Sequence, residues 1–171
     1  FNLSADVAVN SIVAGANGST GDTLVAQGVG AGCTNVWIID GTGGGSLDHG
    51  DGAQGAQDFT DVENLTGNGN NDIFHIEDGG EVVNIAGAGG TNTLDYGTTN
   101  GASYTGPVTV NLGSTEVATA TTGVTGAFTG INNLVGSSSN DDVLIGTDVA
   151  NTFTVDVADE GDVDGTVDFT S

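Results

Sequence analysis

The segment FTDVENLTGNGNNDIF at residues 59–74 returns as FTGINNLVGSSSNDDV at 128–143. Phe, Thr, Asn, Leu, Gly, Asn and Asp fall in the same places, and Asp72 falls on Asp141. Two further matches keep the order: GDTL at 21–24 falls on TNTL at 91–94, and NVWII at 35–39 falls near PVTVN at 107–111. A chain that repeats at a period of about 70 residues is built from units, each burying its apolar face against a neighbour. Phe1, Phe74 and Phe153 each open a strand-like stretch. This frames one repeat unit at 1–73, a second at 74–152 and the start of a third at 153–171. The third stops short of a full unit and neither end reads as a cap, so the expectation is an array continued on both sides.

Within each unit, short apolar clusters alternate with Gly, Asn, Asp and Ser turns, as at Val7 to Val13, Val36 to Ile39, Phe74 to Ile76, Glu81 to Ile85, Val108 to Leu112 and Phe153 to Val157. Val, Ile and Thr favour strands, whereas Gly, Asn and Thr are poor in helices. An apolar share of 36% argues against disorder in spite of the acidity. The spacing predicts an all-β fold with essentially no helix: a right-handed parallel β-solenoid of the β-helix or β-roll kind, with coils of about 18–25 residues. An antiparallel sandwich is the competing architecture. In the solenoid, Leu24, Leu65, Phe74, Leu94, Leu134 and Phe153 point inward. Asn64 with Asn133, and Asn71 with Asn140, are candidates for stacked hydrogen-bonded ladders.

The charge balance removes whole classes of function. Twenty-three Asp and Glu stand against no Lys and no Arg, a net charge of -23. Nothing here can neutralise nucleic-acid phosphates, and an anionic membrane surface repels such a chain. A lyase acting on acidic sugars needs cations that are absent. A glycosidase needs two carboxylates in a cleft, but one Trp and two Tyr offer little for sugar stacking. No Ser–His–Asp or Cys–His arrangement stands out, so no enzymatic activity and no catalytic residue is expected. The lone Cys33 reads as a small buried hydrophobe.

Four segments share one spacing: NGSTGDTLV at 17–25, GNGNNDIFH at 67–75, GAGGTNTLD at 87–95 and GSSSNDDVL at 136–144. The sixth position is Asp22, Asp72, Asn92 or Asp141, and the eighth is Leu24, Phe74, Leu94 or Val143. This pattern resembles the RTX nonapeptide G-G-x-G-x-D-x-U-x of calcium-binding β-rolls. No copy carries every residue of the motif, and the copies are scattered rather than consecutive. The wider grammar, NTLDYG followed by VTVNL and INNLVGSSSNDDVLIGT, resembles giant repetitive adhesins and surface-layer-type repeat proteins of bacteria. The resemblance implies an extracellular or cell-surface location and calcium as a cofactor. Asp22, Asp72 and Asp141 are the first candidate ligands, followed by Asp142, Asp148 and Asp95. Calcium takes six to eight oxygens and would relieve crowding of carboxylates in stacked coils. Asx turns facing water, and adaptation to high salt, explain the same acidity without a metal.

The run DEGDVDG at 159–165 reads as an acidic turn, because an EF-hand loop would need Glu where Ser171 stands. LDHG at 47–50 parallels LDYG at 94–97, which places His49 and Tyr96 at an exposed turn position. The resulting expectation is a structural segment of a long extracellular fibre, stalk, filament or surface layer. Its partners are neighbouring repeats or identical subunits stacked end to end. An adhesin module binding a glycan or host surface, and the calcium-binding secretion region of an exported RTX protein, are the alternatives.

Overall fold

The computed structural model describes residues 11–15, 21–27, 32–52, 55–97, 102–113, 119–120, 123–147, 149–157, 160–163, 165 and 167–170. Among them there is no helix, and the chain is all-β. The strands are β1 (Ser11–Val13), β2 (Thr23–Val25), β3 (Thr34–Gly41), β4 (Gly44–Asp48), β5 (Gln57–Thr60), β6 (Asn64–Thr66), β7 (Asn71–Ile76), β8 (Asn84–Ala86) and β9 (Thr93–Asp95). They continue as β10 (Thr109–Asn111), β11 (Thr119–Ala120), β12 (Phe128–Thr129), β13 (Asn133–Val135), β14 (Val143–Ile145), β15 (Phe153–Val157), β16 (Glu160–Val163) and β17 (Val167–Thr170).

Most of the pairing is parallel, and two ladders organise it. One runs β2-β6-β8-β12 and aligns Leu24, Leu65, Ile85 and Phe128. The other runs β3-β7-β9-β13-β17 and aligns Trp37, Phe74, Leu94, Leu134 and Phe169. Each strand of the first ladder is followed along the chain by one of the second, so the pairs β2/β3, β6/β7, β8/β9 and β12/β13 form four successive tiers. Strands alternate their side chains, and β3 shows this in its burial, with Asn35, Trp37 and Ile39 fully buried between half-exposed neighbours. The core lies between the two ladders. Leu24, Leu65, Phe74, Leu94 and Leu134 all point into it, as the sequence predicts. Trp37 stacks on Phe74 with ring centroids 5.5 Å apart, and Phe59 of β5 meets the indole edge-on.

Several expectations change. Phe153 is 48% exposed, because β15 pairs with β16 in an antiparallel hairpin outside the two ladders. The tightest tier advances 20 residues, with Asn64 bonded to Asn84 at 2.8 Å. Asn64 therefore lies between Thr23 and Asn84, and Asn133 between Thr93 and Asp168, so these two Asn do not stack on each other. Asn71 pairs with Thr34 and accepts from Thr91 N, while Asn140 lies in a turn outside the ladders. Sequence similarity at an interval of about 70 marks like turns rather than touching strands.

The ten-stranded sheet also carries antiparallel strands on both flanks of its parallel run: β4 and β5 beside β3, β16 and β15 beyond β17. β1 pairs with β5 in parallel and lies at one edge of this sheet, and β15 lies at the other. Residues 160–163 of the acidic run form β16, and Asp162 Oδ1 accepts from Gly165 N at 2.6 Å to close the turn that follows. Asp164 and Phe1 to Leu3 lie outside the described residues. Cys33 is half-buried just ahead of β3 rather than enclosed.

Candidate functional site

In two of the nonapeptide-like turns the sixth side chain folds back on its own turn: Asp72 accepts from Asn68 N, and Asn92 Nδ2 donates to the Gly89 carbonyl at 3.2 Å. Asp72 is fully buried at the inner face of β7. Its Oδ2 accepts from Asn68 N at 3.1 Å, while its Oδ1 accepts from Asn35 Nδ2 at 2.8 Å and Trp37 Nε1 at 3.1 Å. Gly is needed at the first position because the sixth side chain lies against it. A Cβ at Gly67 would land on Asp72 Oδ2, and one at Gly87 would land on the Gly130 carbonyl and Asn92 Nδ2.

Equivalent residues stack across tiers into a polar ladder, buried at Asn35, Asp72 and Asn92 and half-buried at Asn132. Asp72 N donates to Asn92 Oδ1 at 3.0 Å, and Asn92 N donates to Asn132 Oδ1 at 2.9 Å. Asn92 Nδ2 donates to the Gly130 carbonyl at 2.8 Å. The ladder reads Asn35, Asp72, Asn92, Asn132, with one carboxylate among three amides. His49 closes the first end, its Nδ1 3.0 Å from Asn35 Oδ1. Burial pushes the Asp72 carboxyl up from the usual carboxylate range, against the pull of Trp37, Asn35, the Asn68 backbone and His49.

The other sequence candidates are placed separately. Asp142, not Asp141, is the turn staple of the 136–144 segment: its Oδ2 accepts from Ser137 N at 2.6 Å and its Oδ1 from Ser137 Oγ and Val108 N, both at 2.8 Å. Asp141 is exposed, and its N–H donates to Ser139 Oγ at 3.2 Å. Asp22 is half-buried, its N–H donating to Glu63 Oε2 at 2.7 Å. Asp95 is buried on β9, with Oδ1 accepting from Gly97 N at 2.7 Å. Asp148 lies outside the described residues. Asn151 repeats the staple, with Oδ1 accepting from Thr147 N and Oγ1. Among the described residues, no three His, Cys, Asp or Glu gather so as to hold a metal ion. The oxygens of Asp72 and Asp142 accept from N–H and O–H donors of the fold.

Sequence reasoning missed Asn35, Trp37, His49 and Asn132 as members of the polar network, and it missed His75. His49 and Tyr96 are both buried, which corrects their reading as exposed turn residues. Burial pushes the Tyr96 phenol up, and Tyr104, edge-on at 6.0 Å, adds to this. His75 is fully buried on the face of β7 opposite Phe74, and neither ring nitrogen has a hydrogen-bond partner among the described residues. Its Nδ1 stands 3.4 Å from Asp95 Oδ2 and its Nε2 stands 3.9 Å from Glu77 Oε1. The 69-residue match of Asp72 with Asp141 pointed at the right turns but hid the one-residue slip that makes Asp142 the staple.

No family model, no curated protein and no solved structure matches the chain.

Proposed function

We propose that the chain is a structural segment of a long extracellular repeat protein, folded as a parallel β-solenoid and serving as part of a fibre, stalk or surface layer. The observation that carries this reading is the Asn35–Asp72–Asn92–Asn132 ladder running beside the Trp37–Phe74–Leu94–Leu134–Phe169 ladder. Buried polar atoms at equivalent turns satisfy one another tier by tier, so every tier needs the next one. Such an arrangement holds length and shape. The resemblance of its turns to RTX and adhesin repeats, and a surface rich in carboxylates, support an exported location. Its partners are neighbouring units of the same kind.

Small-angle scattering tests the architecture. Two copies joined in tandem should lengthen the particle while keeping its cross-section, because each tier adds about 4.8 Å along the stacking direction. A cross-section that grows with the second copy removes the rod. Calcium is the part of this proposal that the turn geometry supports least, and thermal melting with and without EDTA decides it. A saturated site raises the midpoint by several degrees. An unchanged midpoint takes calcium out of the proposal.

A further inference from the structure

The four-stranded sheet β2-β6-β8-β12 turns one face to the core and the other to water. On the outer face Thr23, Asn64 and Asn84 form one row across the strands. Val25, Thr66, Ala86 and Thr129 form the next row. All seven are exposed or half-exposed, and none is ionisable. The ten-stranded sheet differs. Its outer face carries Asp58, Glu160, Asp162 and Asp168, and Asp162 lies directly opposite Asp168. A chain with 23 Asp and Glu and no Lys or Arg keeps the outward rows of four adjacent strands free of charge.

The amides of this face are engaged within the sheet. Asn84 Nδ2 donates to Asn64 Oδ1 at 2.8 Å, and Asn84 Oδ1 accepts from Ala127 N at 3.0 Å. Asn64 Nδ2 donates to the Asp22 carbonyl at 3.1 Å. The second row presents compact Val, Thr and Ala side chains at the strand spacing of about 4.8 Å. A row with that spacing is matched by another of the same spacing, which is the sheet face of a second parallel stack. Two such faces pack about 10 Å apart with their side chains interdigitated. Charge favours the same approach. Two copies at -23 each repel wherever carboxylates meet, and these rows bring none. Area sets the strength: seven residues fall well below the roughly 20–30 a side of a stable interface, so one unit alone does not hold a partner. Units stacked end to end multiply the contact.

We propose that this uncharged face is the lateral contact between two copies of the protein, packed sheet against sheet, and that its strength grows with the number of stacked units. The inference rests on the fibre reading and names the surface by which one fibre holds another.

Sedimentation of the single chain and of two-copy and four-copy tandem arrays, in about 0.05 and about 0.5 M NaCl, tests this. At the higher salt the screening length falls to about 4 Å and repulsion between copies fades. There the four-copy array should sediment as a pair and the single chain as a monomer. Pairing should tighten at least about tenfold from two copies to four. Thr66→Glu with Thr129→Glu sets two carboxylates into the second row and should weaken pairing about tenfold or more, with the far-UV spectrum kept. Thr129→Glu alone, at an exposed side chain, reads the same face should the double change disturb the fold. Val13→Glu with Thr170→Glu adds the same charge at exposed positions of the ten-stranded sheet and should leave pairing unchanged. The proposal is overturned by arrays that stay single at both salts, by pairing that survives the row variants, by equal loss in the Val13 and Thr170 variant, or by a single chain that pairs as tightly as four copies. Small-angle scattering on the same samples separates this inference from the reading beneath it. A rod that stays single overturns the lateral contact and leaves the fibre standing, whereas a particle that is no rod removes both.

Discussion

The two histidines sit on opposite faces of one sheet and meet opposite fates. His49 joins a network in which Asn35, Asp72 and Trp37 satisfy each other. His75 is equally buried, but its nitrogens face two carboxylates at distances too long for good hydrogen bonds. The contrast teaches where polar burial contributes to this fold. On the inner face Asn35, Trp37, Asp72 and Asn92 each donate to the next tier, so burial of polar groups specifies register. On the outer face the imidazole fills space without specifying anything, and its desolvation is uncompensated.

The largest break in that comparison comes from Asp72→Ala. It strips the acceptor from Asn35 Nδ2 and Trp37 Nε1 in the interior and from the half-buried Asn68 N at once. Orphaned buried donors and the cavity together should cost about 3–5 kcal/mol, measured by urea denaturation at neutral pH. A loss below about 1 kcal/mol would mean that the ladder is incidental. Gly67→Ala attacks the same staple from the backbone side, since its methyl needs the space of Asp72 Oδ2. A cost of about 1–3 kcal/mol is expected, and combining it with Asp72→Ala should add little, because both remove one interaction.

The histidines themselves supply the next comparison. His49→Leu removes a partner from Asn35 Oδ1 and should destabilise by about 1 kcal/mol. His75→Leu replaces an unsatisfied buried ring by an apolar side chain, so stability should stay within about 1 kcal/mol of the starting protein or rise. If His75→Leu is the more damaging of the two, the contrast drawn above fails.

Much of the architecture was legible because apolar periodicity is a local signal. Leu65 stands alone between polar neighbours in NLT, and such a residue points inward once a strand forms. Phe153 misled because β15 begins like the others, and what sets it apart is its hairpin with β16, a tertiary fact. The turn staples were half legible. Position six marks Asp72 and Asn92, whose side chains bind their own turns, but a carboxylate that binds a cation and one that binds its own turn have the same spelling. The difference is set by the Gly at position one and by the length of the turn. Asp72 reaches back four residues to Asn68 N, whereas Asp142 reaches back five to Ser137 N, a slip that sequence alignment hides. The antiparallel flanks beside the parallel run were not legible, because no short strand announces the direction of its neighbour.

The smallest effect separates charge from hydrogen bonding within the staple. Asp72 is the one carboxylate in a ladder otherwise built from Asn, and burial raises its pKa in the folded state. A raised folded pKa means that the folded protein holds the proton more tightly than the unfolded chain. The stabilisation is fully present below the unfolded value, about 3.9, and is lost as pH rises through the higher folded value. Asp72→Asn keeps the shape and removes this titration. Asp78 works the other way: the backbone N–H and then the hydroxyl of exposed Thr105 lower its pKa, so its contribution is lost as pH falls, equally in both proteins. Subtracting one stability curve from the other cancels Asp78 and the general acid response. The starting protein should therefore gain on Asp72→Asn as pH is lowered from about 7 to 4, by a fraction of a kcal/mol up to about 1 kcal/mol. A flat difference would place the Asp72 carboxylate in a setting no different from water, which its three donors and complete burial argue against.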